Sequence, residues 1–499
     1  MPMRCYLGID NGGTKTKAAL FDVSGRMLAV ESMDTAVRYP APGFVERDME
    51  QMWQANCTVI RRVLAQASCE PSQVAALAVC GHGKGLYLCD RAGAPLLGIL
   101  STDSRAAKLQ ARWQRDGTER ALFPRTLQHC LACQPTALLC WLKENRPSLY
   151  SSIGFVFSCK DYLRFRLTGT AMAELTDCSG SGLLNLTTRS YDPVILQTLG
   201  LSALTAALPP LCASGAVCGC ISAQAARQTG LAEGTPVAGG MFDIDACALA
   251  SGVTSPELLC IIAGTWGINE CLSAQPVTDG SIRMNSLYCL PEYYLLEESS
   301  PTSVGTMEWV LRTLFPDALS RCGEAVYELL AQQAGSVAPQ EPCPLFFPYL
   351  VGGATNAAAR GAFFGLEASH TAAHILRAVF EGIAFTHKAH VDRLRGSGRI
   401  WERIRLAGGA ARSPFWAQLF ADVMNLPVEA VGVRESGALG CAMCAAVAAG
   451  EYAGLRQASA AMTPRPACYL PGQKCSEIYQ NKYQKYLRFL PFAETNWET

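Results

Sequence analysis

Short apolar runs ending in glycine-rich turns alternate with amphipathic stretches of helical length along this chain of 499 residues. The runs predict strands at Tyr6–Ile9, Lys17–Phe21, Val74–Val79 and Gly85–Leu88. Apolar spacing near 3.6 residues predicts helices at Asp48–Gln66, Ser104–Trp113 and Thr136–Glu144. Such alternation implies an α/β fold, a sheet covered by helices. The chain turns loop-like around Pro209–Gly219. It then runs through Gly234-Thr235-Pro236-Val237-Ala238-Gly239-Gly240 to Asp243 and a helix of small residues, Ala246–Ser251. The second half repeats the plan. A strand pair spans Leu258–Leu272, and helices are predicted at Met307–Leu314, Glu324–Ala334 and Thr371–Leu394. A strand at Arg403–Leu406 ends in Gly408-Gly409, followed by helices at Ser413–Met424 and Gly437–Ala449. The tail, Pro464–Thr499, is richer in aromatics and lysine and reads as a loop and a helix. The length exceeds one ordinary core, so two domains are expected, 1–252 and 253–499, with the boundary in Gly252–Glu257.

Two hairpins stand out. Leu7-Gly8-Ile9-Asp10-Asn11-Gly12-Gly13-Thr14-Lys15 and Ile261-Ile262-Ala263-Gly264-Thr265-Trp266-Gly267 each run an apolar strand into a Gly/Thr turn and a return strand. Turns this tight are expected to need positive φ, which glycine supplies. Small residues also leave backbone N–H groups and a threonine hydroxyl to face a phosphate. Two such hairpins half a chain apart suggest duplicated domains gripping one nucleotide.

Around these turns lie the candidate chemical groups. Asp10 ends the first strand, where a carboxylate can hold Mg²⁺ beside phosphates or simply stabilise the turn. Lys17, on the return strand, offers positive charge to the same phosphates or is a plain strand lysine. Asp243 follows Gly239-Gly240, which let backbone pass close to a ligand. It is the candidate base for phosphoryl transfer to an alcohol, with an N-cap as the alternative. Asp245 competes for either role. Gly408-Gly409-Ala410-Ala411-Arg412-Ser413 ends a strand and opens a helix that Ser413 can cap, and its glycine pair suits a purine face. Lys84, in Gly81-His82-Gly83-Lys84-Gly85, and Asp103 follow strands of the first half. They are candidate polyol contacts or solvated loop residues.

Composition narrows the partners. Hydrophobic residues make up 49% and charged residues 17%, as in a globular protein. The 42 basic and 42 acidic residues argue against a broad nucleic-acid or anionic-membrane surface. There is no run of 18 apolar residues and no signal peptide before the first strand, so a cytoplasmic location is expected. The 23 cysteines are scattered through strand-like and helix-like segments, where free cysteine acts as a small buried hydrophobe. Cys130/Cys133 and Cys441/Cys444 lie too far apart to suggest a zinc site.

Taken together, Asp10-Asn11-Gly12-Gly13-Thr14, Gly239-Gly240-Met241-Phe242-Asp243, Gly264-Thr265-Trp266, and Gly408-Gly409 through Ser413, Trp416, Gln418 and Ala421-Asp422 resemble the FGGY family of carbohydrate kinases. The resemblance covers about Tyr6 to Ala449. It implies two actin-like (ribonuclease-H-like) domains with a central cleft, and transfer of the γ-phosphate of ATP to a sugar or polyol hydroxyl with Mg²⁺. Position by position, it makes Asp243 the catalytic base, with Asp10 and Asp243 toward the metal. Asn11, Gly12, Gly13, Thr14 and Lys17 fall on the first phosphate motif, Gly264 and Thr265 on the second, and Gly408, Gly409 and Arg412 on the adenosine side. Lys84, Asp103 and Asp243 fall toward the sugar. Phe44-Val45-Glu46-Arg47-Asp48, followed by Trp53, matches a further family segment, whereas Leu138 stands where the family usually has lysine.

Gly83-Lys84-Gly85-Leu86, Ser101-Thr102-Asp103-Ser104-Arg105, Ser300-Pro301-Thr302-Ser303 and Phe346-Phe347-Pro348-Tyr349-Leu350 look most like the L-xylulose (L-lyxulose)/3-keto-L-gulonate kinase branch. A keto-pentose or oxidised relative is the implied substrate. The alternatives are another pentulose or polyol (D-xylulose, L-ribulose, glycerol), a sugar-sensing protein without catalysis, and an ATPase acting on a protein partner. A homodimer is the default oligomer.

Overall fold

The computed structural model describes residues 4–317, 323–353 and 359–495. The last four residues of the expected tail lie outside the described residues. Contacts sort the chain into two compact units. The first comprises residues up to Thr254 together with Ser273–Leu295 and Glu435–Thr463, and the second takes the rest.

In the first unit the strand order is Val217–Cys220, Pro236–Ala238, Val74–Gly81, Cys5–Asn11, Lys15–Phe21 and Met27–Asp34. Cys5–Asn11 pairs antiparallel with Lys15–Phe21 and parallel with Val74–Gly81. One face of the sheet carries Leu7, Ile9 and Val79 into a core with Trp53, Ile60 and Val63 of the helix Met49–Gln66. Burying each such side chain contributes roughly 1.5–3 kcal/mol. Asp48 caps that helix by accepting from the Glu50 and Gln51 N–H groups at 3.0 Å. A smaller sheet of Glu46–Arg47, Pro95–Ile99, Leu86–Cys89 and Phe155–Phe157 belongs to the same unit. Leu138 is buried in the neighbouring core with Leu86 and Trp113, so the departure from lysine there is a packing position.

The helix Ser436–Ala448 joins this unit although the expected division in chain order puts it in the second half. Its sequence is mostly Gly, Ala and Cys, and it is buried along most of its length. Small residues permit close approach. A Cβ on Gly8 would stand 1.8 Å from the Ala438 carbonyl oxygen, and one on Gly440 would stand 2.4 Å from that of Ala246. The helix therefore lies directly on the central strand and on the helix Asp243–Ala250.

The second unit repeats the first. Leu258–Ala263 pairs antiparallel with Gly267–Ser273 and parallel with Arg403–Ala407, which pairs parallel with Val428–Ala430. The long helix Ala372–Gly396 begins with a capping box of Thr371 and His374. Ser413 caps Pro414–Met424, as expected, by accepting from the Trp416 N–H. The strands Met27–Asp34 and Pro236–Ala238 lie where the sequence pattern predicted none. The first is half-exposed and the second has only three residues, so neither carries a clear apolar alternation.

The expected turn geometry is corrected. Gly12, Gly13 and Gly264 do not take positive φ. The first turn spans three residues and closes with the Gly12 N–H on the Lys15 carbonyl at 3.0 Å, so no left-handed residue is required. Positive φ occurs instead at Gly240 (+72°) and Gly408 (+79°). A Cβ on Gly240 would also stand 1.9 Å from the Val79 carbonyl oxygen.

Candidate active site

Strand register builds the centre of the site in the first unit. Lys17 lies opposite Asp10, Asp10 opposite Cys80, and Cys80 opposite Met241. One row across the sheet thus carries Lys17, Asp10, Cys80 and Met241, and Asp243 follows two residues after the last. Asp243 is the first residue of the helix Asp243–Ala250 and does not cap it; Phe242 holds the N-cap position. Asp245 lies inside the first turn and is buried, so it is not the cap either.

Electrostatics single out the carboxylates. Burial, followed by the charges of Asp10 and Asp177, pushes the Asp243 carboxyl well above its ordinary range, against opposition from Lys84 and the Ile244 N–H. Asp10 is likewise raised by burial, with Glu435 adding to the shift and Lys17 and the Cys80 thiol opposing it. Lys17 binds Glu435 at 2.7 Å. Burial alone would lower its ammonium, but Glu435 and Asp10 hold it above the usual lysine value. The expected phosphate lysine is therefore engaged with Glu435 and Asp10. The helix Ser436–Ala448 starts against Asp10, since a Cβ on Gly437 would stand 2.8 Å from its Oδ2. An anion at a helix N-terminus is stabilised by the helix dipole.

The other expected residues divide. Gly13 and Thr14 are exposed at the turn. Arg47 donates to the Gly12 carbonyl at 3.1 Å and also to that of Gly13, which orients the turn. Asn11 is turned away from this turn. It is fully buried and exchanges two amide hydrogen bonds with Asn56, at 3.0 and 2.9 Å. Lys84 is half-buried in a left-handed conformation (φ +59°), with Nζ 5.0 Å from the Phe242 ring centre. Asp103 is buried and pairs with Arg105 at 2.9 Å, while accepting from the Val45 N–H at 2.6 Å. Its carboxylate also accepts from the Arg105 N–H at 2.9 Å, which ties the loop together. In the second unit, a Cβ on Gly408 would stand 2.7 Å from the Ala263 carbonyl oxygen, so Gly408-Gly409 passes against the turn of Gly264 and Thr265. Thr265 and Arg412 are exposed.

Residues 5–250 match the N-terminal domain of the FGGY family of carbohydrate kinases, and residues 259–449 match its C-terminal domain. The chain belongs to the FGGY family of carbohydrate kinases. It is 36% identical over 485 residues to a protein of Escherichia coli K12 named L-xylulose/3-keto-L-gulonate kinase, covering 96% of this chain and 95% of that one. It is 35% identical to a probable L-xylulose kinase of Pasteurella multocida, covering 97% of this chain and 98% of that protein. Among solved structures, a xylulose kinase of Rhodospirillum rubrum superposes with a TM-score of 0.86 at 27% identity, covering 99% of this chain and all of that one. This FGGY kinase is an ATP-dependent phosphotransferase with an alcohol group as acceptor, on the α/β fold with two actin-like domains. Among its described residues no helix is long and apolar enough to cross a membrane.

Several residues near the kinase's carboxylates were not legible in the sequence. Glu435 and Gly437 come from a segment remote in sequence, and only the packing of their helix brings them to Asp10 and Lys17. Asp177 stands in the polar run Leu175-Thr176-Asp177-Cys178-Ser179, a signal that could have been noticed. Its carboxyl is buried and raised to about 7, first by burial and further by Asp161 and Glu174, against Lys160 and Ser158. Between its ordinary value of 3.8 and about 7, the folded state holds a proton that the unfolded chain has released. Stability therefore falls as pH rises through that window. Asp177→Asn is expected to flatten this part of the melting-temperature profile between pH 4 and 7, removing up to about 4 kcal/mol of pH-dependent loss. Parallel wild-type and variant profiles would show that Asp177 ionises without penalty.

Proposed function

We propose that this kinase phosphorylates the terminal hydroxyl of a ketose, L-xylulose or a 3-keto-L-gulonate-like sugar, with Asp243 as general base. The observation that carries the reading is the placement of Asp243 at the end of the strand row beside Asp10, with its carboxyl raised by burial and neighbouring charge. A carboxylate that binds protons readily, within reach of an alcohol, is suited to take the hydroxyl proton as the new P–O bond forms. The alcohol oxygen gains the γ-phosphoryl group, the bond to the bridging oxygen breaks, ADP leaves, and the proton rests on Asp243. The names of the two curated relatives support the sugar, as does the ammonium of Lys84, which can hydrogen-bond a ketone or pair with a carboxylate.

Asp10 and Asp243 are the groups that would hold Mg²⁺. The charge of Asp10 raises the proton affinity of Asp243, a repulsion that a divalent cation relieves, and two carboxylates suit an ion that keeps several waters. No group of three or more His, Cys, Asp or Glu side chains forms a metal cage among the described residues. When bound, the ion would neutralise charge on the phosphates. Gly13 and Thr14 in the first unit, and Gly264, Thr265, Gly408, Gly409 and Arg412 in the second, are the proposed nucleotide contacts.

The test is ADP release with Mg·ATP across L-xylulose, D-xylulose, L-ribulose, 3-keto-L-gulonate, glycerol and gluconate. Selective turnover of L-xylulose or the keto-gulonate is the expected result. Preference for another polyol would discard the sugar and keep the mechanism.

A further inference from the structure

The backbone leading into Asp243 is held by a buried polar network and by strand pairing. Arg164 donates to the Gly239 carbonyl, and the Ser214 carbonyl accepts from the Gly240 N–H at 3.0 Å. Met241 and Phe242 pair with Cys80 and Gly81 of the neighbouring strand. The Phe242 N–H, one residue before Asp243, donates to the hydroxyl of Thr176 at 2.9 Å. That hydroxyl in turn donates to Glu174 Oε2 at 2.8 Å.

Glu174 is the hub. Its carboxylate also accepts from Ser214 Oγ at 2.7 Å and from the Thr176 and Asp177 N–H groups at 3.0 and 3.3 Å, and it lies 3.3 Å from Lys160 Nζ. Lys160 and Arg164 both bind Asp161, at 2.8 and 2.9 Å. Glu174, Thr176, Lys160, Asp161, Arg164 and Ser214 are all buried. A buried ionic cluster is a poor source of stability, because desolvation offsets most of the attraction. It is, however, stiff, since every member is fixed by several partners.

We infer that Thr176, oriented by Glu174, is a positioning residue for the phosphoryl transfer: its hydroxyl fixes the Phe242 N–H and through it the direction of the Asp243 carboxylate. The inference rests on Asp243 being the base. Thr176 touches neither sugar nor nucleotide in this scheme, and its effect passes only through the backbone before Asp243. A base misplaced by about 1 Å can cost about 10²-fold in rate.

Steady-state kinetics on the full chain test it. Thr176→Val removes the acceptor while keeping the shape, and is expected to lower kcat by about 10- to 100-fold with both KM values held within about threefold. Thr176→Ser keeps the hydroxyl and is expected to restore kcat to within about threefold of wild type. In an Asp243→Asn background, Thr176→Val is expected to change the residual rate by less than about twofold, because the group it positions is gone. If circular dichroism shows Thr176→Val unfolded, the smaller Thr176→Ala carries the same comparison. Wild-type kcat in the valine or alanine variant, a serine variant as impaired as valine, or a full additional loss in the Asp243→Asn background would each overturn the proposal. Wild-type turnover by Asp243→Asn alone would instead remove the base assignment, and the positioning role with it.

Discussion

Asp243→Asn is expected to fold normally, bind ATP and sugar, and turn over about 10²–10⁴-fold more slowly than the wild type, the loss that follows if Asp243 is the proposed general base. Asparagine keeps the size of the side chain but cannot accept the alcohol proton, so the loss falls on kcat. The electrostatics predict the companion stability result. The Asp243 carboxyl is raised by burial, Asp10 and Asp177, so ionising it in the folded state is unfavourable. Stability arising from its protonated form is present at low pH and lost as pH rises toward the raised value. Above neutral pH the asparagine variant therefore melts at a temperature equal to or higher than wild type. Wild-type kcat/KM should rise with pH as Asp243 deprotonates, and the variant should lose that limb. A variant with near-full turnover would move the base elsewhere, with Asp245 the next to test. A variant that is inactive and also less stable at pH 8 would indicate a structural role for the carboxylate.

Gly437→Val is expected to lower turnover by about 10²-fold or more with only a modest loss of melting temperature. A Cβ there would stand 2.8 Å from Asp10 Oδ2, 3.1 Å from its Cγ and 3.3 Å from Cys80 Sγ. Valine adds two methyl groups to that Cβ, so Asp10 must turn out of the strand row. The helix itself gains slightly, because replacing glycine by valine in its first turn raises intrinsic propensity by up to about 0.5 kcal/mol. Overpacking costs about 1–3 kcal/mol, so the two terms partly offset in stability and not in activity. Gly454→Ala is the control, since a Cβ there meets nothing within 4 Å. Equal activity in Gly437→Val and Gly454→Ala would show that Asp10 need not hold its observed direction.

The local signals in the sequence that proved legible were those with a short physical range. The strand Cys5–Asn11 and its return Lys15–Phe21 follow from apolar runs around a glycine turn, and their repeat at Leu258–Ala263 and Gly267–Ser273 reveals the duplicated plan. The cap of Pro414–Met424 by Ser413 is likewise local. Less visible were strands too short or too exposed to carry alternation, such as Pro236–Ala238, although it pairs with the central strand Val74–Gly81. The positive φ expected at Gly12 and Gly13 fell on Gly240 and Gly408. There the constraint is a neighbouring strand's carbonyl, which no local pattern announces.

The division for the site follows the same physics. The sequence by itself determined the family and drew attention to the two glycine-rich hairpins and to Asp10 and Asp243, because each sits in a motif whose turn or strand end is set by adjacent residues. Only the tertiary structure decided what surrounds them. It turned Asn11 toward Asn56 and tied Asp103 to Arg105. It engaged Lys17 with Glu435, more than 400 positions away, and set Thr176 under the Phe242 N–H. Side-chain direction, burial and charge neighbours depend on which distant segments pack together. That packing is fixed by the close fit of glycine and alanine backbones along Ser436–Ala448, a property of the assembled sheet and helix that neither segment possesses alone.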